Sequence, residues 1–328
     1  MPLENVFVPY GGYWSTPFAR WQGSLSEYHS IRLAGEVGSA FLTSHEIPPD
    51  SFDGVVLGMT VTQRHSFYAG PWFAALAGAP DITGPTISQA CATSVRSLAS
   101  AALEIETGTR KCILAATCDR TSNGPHIYYP SPGGPGGHGK GEDPVLGNMN
   151  LDPYAGLAMT RTAENLAEEK GISKEEQDSV TLMRYGQYQD ALADDRSFQK
   201  RYMVPVELKR GKKSLGVLDA DEGVHSTTAE GLDRLRPVVD GGTVTYGSQT
   251  HPADGNAGMI VCNQDQAGRL SRDKNVTVQI LSYGEARTEK GFMPKAVVPA
   301  ARNALERAGI SAEQCAAIKT HNPFAVSD

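Results

Sequence analysis

Two dense apolar runs stand out early in the chain. Residues 53–60 (DGVVLGMT) and 111–117 (KCILAAT) are short, rich in aliphatic side chains and flanked by turn or charged residues, which predicts buried strands. Between them, residues 93–107 place small and apolar side chains at helical spacing: Val95, Leu98, Ala99, Ala102, Leu103 and Ile105. Gly108 follows as a natural helix stop. Strand, helix, strand in that order predicts a mainly parallel sheet covered by helices.

The pattern then breaks. Residues 122–157 (SNGPHIYYPSPGGPGGHGKGEDPVLGNMNLDPYAGL) are dense in Gly and Pro and cannot hold regular structure for long. Tyr128, Tyr129, Leu146, Met149 and Tyr154 favour an ordered loop over a solvated one, and loops of this length in compact domains are often functional. Amphipathic helices are predicted over 162–170 and 173–193, with Ser173 and Glu176 spaced as a capping box. Residues 242–262 return to Gly-rich strand material. Near the end, 276–282 reads as a strand, 296–308 as a helix stopped by Gly309, and 316–320 as the start of another strand. The coarse picture is an α/β chain of two similar halves with an inserted loop region.

Composition narrows the function classes. The net charge is −7 with no block of like charges, which argues against nucleic acid or an acidic membrane surface as the main partner. No apolar run approaches the roughly 20 residues of a membrane helix, and the first residues lack the pattern of a signal peptide. A cytoplasmic location without membrane insertion is the expectation. The five cysteines, Cys91, Cys112, Cys118, Cys262 and Cys315, are odd in number and irregular in spacing. That predicts reduced, mostly buried thiols, with Cys315 in the core, and no metal site.

Cys91 differs from the rest in its context, ISQACATSVRSLASAALEI, which places it at or just before a helix N-terminus. Unpaired backbone N–H groups and the helix dipole there favour a thiolate, and the same N–H groups can donate to an oxyanion. Read alone, the segment leaves two readings open, an inert buried cysteine and a nucleophile.

Longer blocks resolve the choice. CATS at 91–94 resembles the nucleophile segment of the thiolases, with Thr93 and Ser94 covering the family's usual Ser-Gly. TPFARWQGSL at 16–25 is similar to the N-terminal signature, and TAENLAEEKGISKEEQD at 162–178 to the loop-domain signature. DEGVHSTTAEGLDRLRPV, GTVTYGSQTHPADGNAG and HNPFA at 321–325 match three further blocks in the family's order. The chain is therefore identified as a member of the thiolase superfamily. The resemblance implies a layered αβαβα fold of two similar halves with an inserted loop domain. Residues 1–119 would form the N-terminal half, completed by about 250–274. Residues 120–249 would be the loop domain over the active site, and 275–328 a partial C-terminal half, so the second half is incomplete. It further implies thiolytic cleavage of a 3-oxoacyl-CoA, or the reverse Claisen condensation, through an acyl-cysteine intermediate. CoA would be a cosubstrate, with no permanently bound cofactor.

The resemblance also assigns residues. Cys91 takes the place of the nucleophile, and His321 that of the group polarising a thioester oxygen. His225 and Thr250 fall where the family contacts the adenine and the pantetheine. Met159, Tyr246 and Phe324 fall at pocket-lining positions. Local readings remain beside these: a hydrogen-bonded strand-end or solvated histidine, a turn hydroxyl, a core Met or Phe. The sequence departs from the common biosynthetic enzymes at Tyr246 (usually Ala), Ala158 (usually His), and Asn322 with Pro323 (usually Glu-Ala). These departures lean towards the sterol-carrier-like and aromatic-degradation branches, in which a zinc-ribbon/OB-fold partner protein is sometimes required. The narrowest expectation is a relative of the thiolase subunit acting on benzoylsuccinyl-CoA-type substrates.

Family members continue past HNPFA through a Gly-His-Pro block and a second cysteine that moves the α-proton. The sequence ends at Asp328 with neither, which makes a fragment of a longer protein the expectation. A homodimer or tetramer is expected of the full-length protein. A non-catalytic thiolase-like subunit, binding CoA thioesters or a partner, is the alternative function.

Overall fold

The computed structural model describes residues 2–321 and 323–328; Asn322, one of the departures above, lies outside the described residues. One large sheet organises the chain. Its strands are β1 (Phe7–Val8), β2 (Tyr13–Ser15), β3 (Ala19–Arg20), β4 (Gly54–Gly58), β5 (Thr86–Ile87), β6 (Cys112–Asp119), β11 (Ala253–Cys262) and β12 (Val278–Gln279). The order is β12-β1-β11-β6-β4-β5, with β2 and β3 continuing the edge of β11 that β1 begins. Two hairpins lie outside it: β7 (Ile127–Tyr129) with β8 (Lys140–Glu142), and β9 (Val206–Arg210) with β10 (Lys213–Leu218).

The sheet is mixed, which corrects the parallel expectation. β4 runs parallel to β5 and β6, but β6 pairs antiparallel with β11, and β11 with β1, β2 and β3. The predicted strand–helix–strand unit is real. The partners that change the sheet's character come from the far end of the sequence.

Alternation along the strands feeds two layers. Val55, Leu57, Leu114 and Ile260 face α1 (Ser30–Ser44) and α2 (Ala69–Leu76), among Trp14, Phe41 and Phe73. Val56, Ile113, Ala115 and Val261 face α3 (Thr93–Glu106) through Ala101, Ala102 and Ile105. Each large aliphatic or aromatic side chain buried this way contributes about 1.5–3 kcal/mol. The helical face of α3 differs from the sequence reading: Val95 and Leu103 are exposed, while Thr93 and Ser97 are buried. Gly58 explains the exchange. A Cβ there would lie 2.8 Å from Thr93 Cγ2 and 2.6 Å from Ser97 Oγ, so glycine lets the first turn of α3 settle directly on the end of β4.

The Gly/Pro-rich segment is ordered, though its aromatic side chains are not buried: Tyr128 accepts from Gly139 N–H through its hydroxyl, and Arg287 and Lys290 lie over the Tyr154 ring. Tyr128, Tyr129, Leu146, Met149 and Tyr154 are all exposed, and Val145 is buried. Order comes from hydrogen bonds: Asp143 Oδ1 accepts from the N–H of Val145 and Leu146 ahead of α4 (Leu146–Asn150), and Asp152 Oδ1 from those of Tyr154 and Ala155. The two expected helices are α5 (Met159–Lys170) and α6 (Lys174–Ala191). The capping box forms as read, with Ser173 Oγ accepting from Glu176 N and Glu176 accepting from Ser173 N.

Three expected strands shrink or vanish. Residues 242–252 are turns and extended loop, and β11 starts only at Ala253. Within 276–282 only Val278–Gln279 pairs, and 316–320 is irregular and exposed. A strand needs a neighbour for its N–H and C=O groups, and none flanks 316–320 among the described residues. The helix Val297–Ala308, stopped by Gly309 at φ 71° as expected, buries no residue completely. Cys315, expected in the core, is half-buried, its thiol 3.8 Å from the Ser311 carbonyl. No helix among the described residues is long and apolar enough to cross a membrane.

Candidate active site

Cys91 sits in a turn between β5 and α3 and is exposed, while Cys112, Cys118 and Cys262 are buried in the sheet. The turn is tight. Ala90 adopts φ 45°, a left-handed conformation uncommon for a residue with a Cβ, and the neighbours hold it there. Ala92 N–H donates to the Gln89 carbonyl (3.0 Å) and Thr93 N–H to the Ala90 carbonyl (3.1 Å). Thr93 Oγ1 donates to the Ala90 carbonyl (2.7 Å) and accepts from Gln89 N–H (2.8 Å). Gln89 is tied outward to Glu285, which also accepts from Tyr283 and pairs with Arg96. No side chain caps α3, so N–H groups of its first turn remain available to negative charge beside the Cys91 thiol.

Two of the buried cysteines are poor nucleophile candidates. Hydrogen bonding to Cys262, then burial, pushes the Cys112 thiol far up. Burial pushes Cys118 up to about 12. Neither forms an appreciable thiolate near neutral pH.

A second group of expected residues gathers elsewhere. Phe324 is buried in a cluster with Ala163, Leu166, Ala167, Val244 and Val326, and Met159, the first residue of α5, packs against it. Thr250 lies beside this group: its N–H donates to the Pro323 carbonyl (2.8 Å), and Gln249 bridges to Phe324. Thr250 itself is exposed, its hydroxyl donating to the His251 carbonyl (3.3 Å). His321 is solvent-accessible, yet the atoms around it desolvate the ring enough to hold it below the ordinary histidine value. His225 and Tyr246 are exposed, Tyr246 at 78%. Among the described residues no hydrogen bond joins Cys91 to His321, Thr250 or His225, and no imidazole or carboxylate hydrogen-bonds its thiol.

Two positioning residues escaped the sequence reading. The Thr93 hydroxyl braces the Cys91 turn; its signal was the hydroxyl within CATS, where the resemblance looked for Ser-Gly. Glu164, 5% exposed, accepts from Thr243 N, Thr243 Oγ1 and Val244 N and so fixes the approach to Tyr246 and Thr250. It lies inside the TAEN block, so the block was visible but the role was not.

A parallel strand pair leading into an uncapped helix, with an exposed thiol in the strained turn between them, sits within an α/β fold. Comparison with known proteins identifies which one. The family model for the N-terminal domain of thiolase matches residues 13–265, and the chain belongs to that family of enzymes. Over 314 residues it is 28% identical to an acetyl-CoA acetyltransferase of Yarrowia lipolytica, covering 94% of this chain and 77% of that protein. Over 320 residues it is 29% identical to a beta-ketothiolase of Cupriavidus necator, covering 94% and 79%. The acetyl-CoA acetyltransferase structure from Bacillus anthracis superimposes with a TM-score of 0.89 at 26% identity, covering 99% of this chain and 82% of that one. Human mitochondrial 3-ketoacyl-CoA thiolase, solved in complex with CoA, gives 0.87 at 26%, covering 100% and 82%.

Proposed function

We propose that this protein is a CoA-dependent acyltransferase that works through an acyl-cysteine at Cys91. In the thiolytic direction the Cys91 thiolate attacks the 3-oxo carbon of a 3-oxoacyl-CoA. The C2–C3 bond breaks, the acyl group stays on sulfur, and the departing CoA-ester carbanion takes a proton. The thiol of a second CoA then displaces the acyl group and regenerates Cys91. The first-turn N–H groups of α3 stand where charge develops on the attacked oxygen. The observation that carries this reading is the exposed thiol in a braced turn at an uncapped helix, in a chain that otherwise hides or half-buries its cysteines.

The remaining roles follow the same reading. His321, neutral by desolvation, polarises a thioester oxygen, and His225 and Thr250 contact CoA. Met159, Phe324 and Tyr246 line the acyl side, with residues 120–249 covering the site and 131–147 as its roof. Tyr246, Ala158 and Pro323 support a branch other than the plain acetoacetyl-CoA enzymes. The aromatic-degradation branch, with a zinc-ribbon/OB-fold partner, is the one we favour. A homodimer or tetramer suits the exposed edge strand β5 and its neighbours Phe67 (90% exposed) and Tyr68 (65% exposed).

One observation favours the second reading, a thioester-binding subunit without turnover: among the described residues no base is hydrogen-bonded to the Cys91 thiol. One experiment separates the two. The protein is incubated with acetoacetyl-CoA, intact mass is read for an acyl adduct, and thiolysis is assayed in parallel. Adduct plus turnover supports the enzyme as it stands. Adduct without turnover supports a chain that lacks a proton-transferring group. No adduct, with CoA still binding, supports the non-catalytic subunit.

A further inference from the structure

A second feature, on the opposite face of the sheet from α3, belongs to no part of this chemistry. Ten buried side-chain polar atoms among the described residues have no hydrogen-bond partner within the chain, and seven of them lie on the side of the sheet that α1 covers. They are Trp14 Nε1, Ser30 Oγ, Asp254 Oδ2 and both amide atoms of Asn256, with His29 Nδ1 and Arg120 Nε at the rim. Their parent residues are deeply buried: Asp254 is 1% exposed, Asn256 and Trp14 3%, Ser30 4%.

Strand register brings these groups together. Asp254, Asn256 and Gly258 share one face of β11. Trp14 pairs with Gly258, and its indole lies over that glycine on the same face, where a Cβ would come within 2.1 Å of the ring. Asn256 is opposite Cys118 on β6, and Ser30, the first residue of α1, lies beside the Cys118 thiol. Helix α1 begins without a side-chain cap and without an acidic residue in its first turn.

The unmet groups are of both kinds. Asn256 Nδ2, the Trp14 indole and the Ser30 hydroxyl are donors, while Asn256 Oδ1 and Asp254 Oδ2 are acceptors. His29 Nε2 lies 2.7 Å from the Arg64 carbonyl and must carry the proton there, which leaves neutral Nδ1 a bare acceptor. A bound cation would oppose the donors, and a bound anion would oppose Asp254. Leaving so many buried groups unpaired would destabilise the fold. We propose that a small cluster of ordered waters lies between α1 and the 254–258 stretch of β11. The cluster bridges Asn256, Asp254, Ser30 and Trp14 and is part of the fold. Asp254 gives the cluster a second consequence. Its Oδ1 accepts from Thr121 N (2.7 Å), Thr121 Oγ1 (3.0 Å) and Ser122 N (3.0 Å), where the Gly/Pro-rich segment departs from β6. The waters on Oδ2 thus link α1 to the root of that segment.

Two measurements on the whole chain test this. In a high-resolution crystal structure, waters are expected within hydrogen-bond distance of both Asn256 Nδ2 and Asp254 Oδ2. Direct contact of Asn256 with Asp254 or Ser30 in a dry space would overturn the proposal, as would an anomalous peak at Asp254 after rubidium exchange. Asn256→Leu keeps the side-chain volume but expels water, so a Tm lower by about 2 °C or more is expected. A dry site would answer oppositely: removing an unpaired amide would raise Tm. If Asn256→Leu does not fold, the crystal arm on the unaltered chain decides alone.

Discussion

Thr93 Oγ1 donates to the Ala90 carbonyl at 2.7 Å while accepting from Gln89 N–H at 2.8 Å, so a single hydroxyl closes the turn that carries Cys91. Ala90 is held in its left-handed conformation from both sides, and Thr93, 5% exposed, is fixed by its seat on Gly58. Thr93→Val keeps the shape and removes both bonds. It is expected to cost about 1–3 kcal/mol in urea denaturation and to slow alkylation of Cys91 several-fold, with Thr93→Ser restoring most of both. If Thr93→Val matches the unaltered chain in stability and in Cys91 reactivity, the turn is held by something other than this hydroxyl.

Stability should fall on mild acidification. His29, His45 and His321 all lie below the ordinary histidine value of 6.5, each chiefly because burial disfavours the imidazolium. The unfolded chain therefore binds more protons than the folded one between the depressed folded values and 6.5. The stabilising contribution is complete above that value and is lost as pH falls through it towards the folded pKa values. Asp119, held above 3.8 by burial, acts with the opposite sign, its contribution lost as pH rises through its folded value. A lower urea midpoint at pH 5.5 than at pH 7.5 is expected, with the gap narrowed in His45→Gln. An equal or higher midpoint at pH 5.5 would reject the assignment.

The sheet's local units were legible in the sequence because their causes are local. Aliphatic runs bounded by turns marked β4 and β6, small apolar spacing ending at Gly108 marked α3, and Ser173 with Glu176 marked the start of α6. Long-range causes were not legible. Nothing near 112–119 announces that β11, over a hundred residues on, will pair with it antiparallel. Periodicity found α3 but not its buried side, because Gly58 on another element decides that Thr93 and Ser97 go in and Val95 stays out. The site divided the same way. The position of Cys91 just ahead of α3 was legible from the helix pattern, but the strain at Ala90 depends on bonds that no motif states, and the blocks that hold Met159 and Phe324 did not say that the two pack together in a buried cluster.

Residues 131–147 comprise the loop and second strand of the hairpin β7–β8 and run on through Val145, which is buried and packs near Gly124. If this segment roofs the acyl pocket, replacing it with a short Gly/Ser linker that keeps Val145 should alter acyl-chain preference in kcat/KM more than CoA affinity. An unchanged substrate profile would reduce the segment to a passive surface loop.

Phe67 and Tyr68 project from the turn before α2, and β5 leaves one edge of the sheet open. Self-association across this region would cover both. Light scattering at micromolar concentration is expected to give a dimer or a dimer of dimers, weakened in Phe67→Glu. A monomer at every concentration would reject the association, and a dimer indifferent to Phe67→Glu would move it to another surface.

The central claim is that Cys91 is the acyl-accepting thiol. Peptide mapping after limiting iodoacetamide, with and without prior exposure to acetoacetyl-CoA, tests it most directly. Cys91 should label first, the thioester should protect it, and an acyl mass should appear on its peptide and disappear in Cys91→Ser. Preferential labelling of Cys315, Cys112 or Cys262, or an acyl adduct that persists in Cys91→Ser, would contradict the assignment.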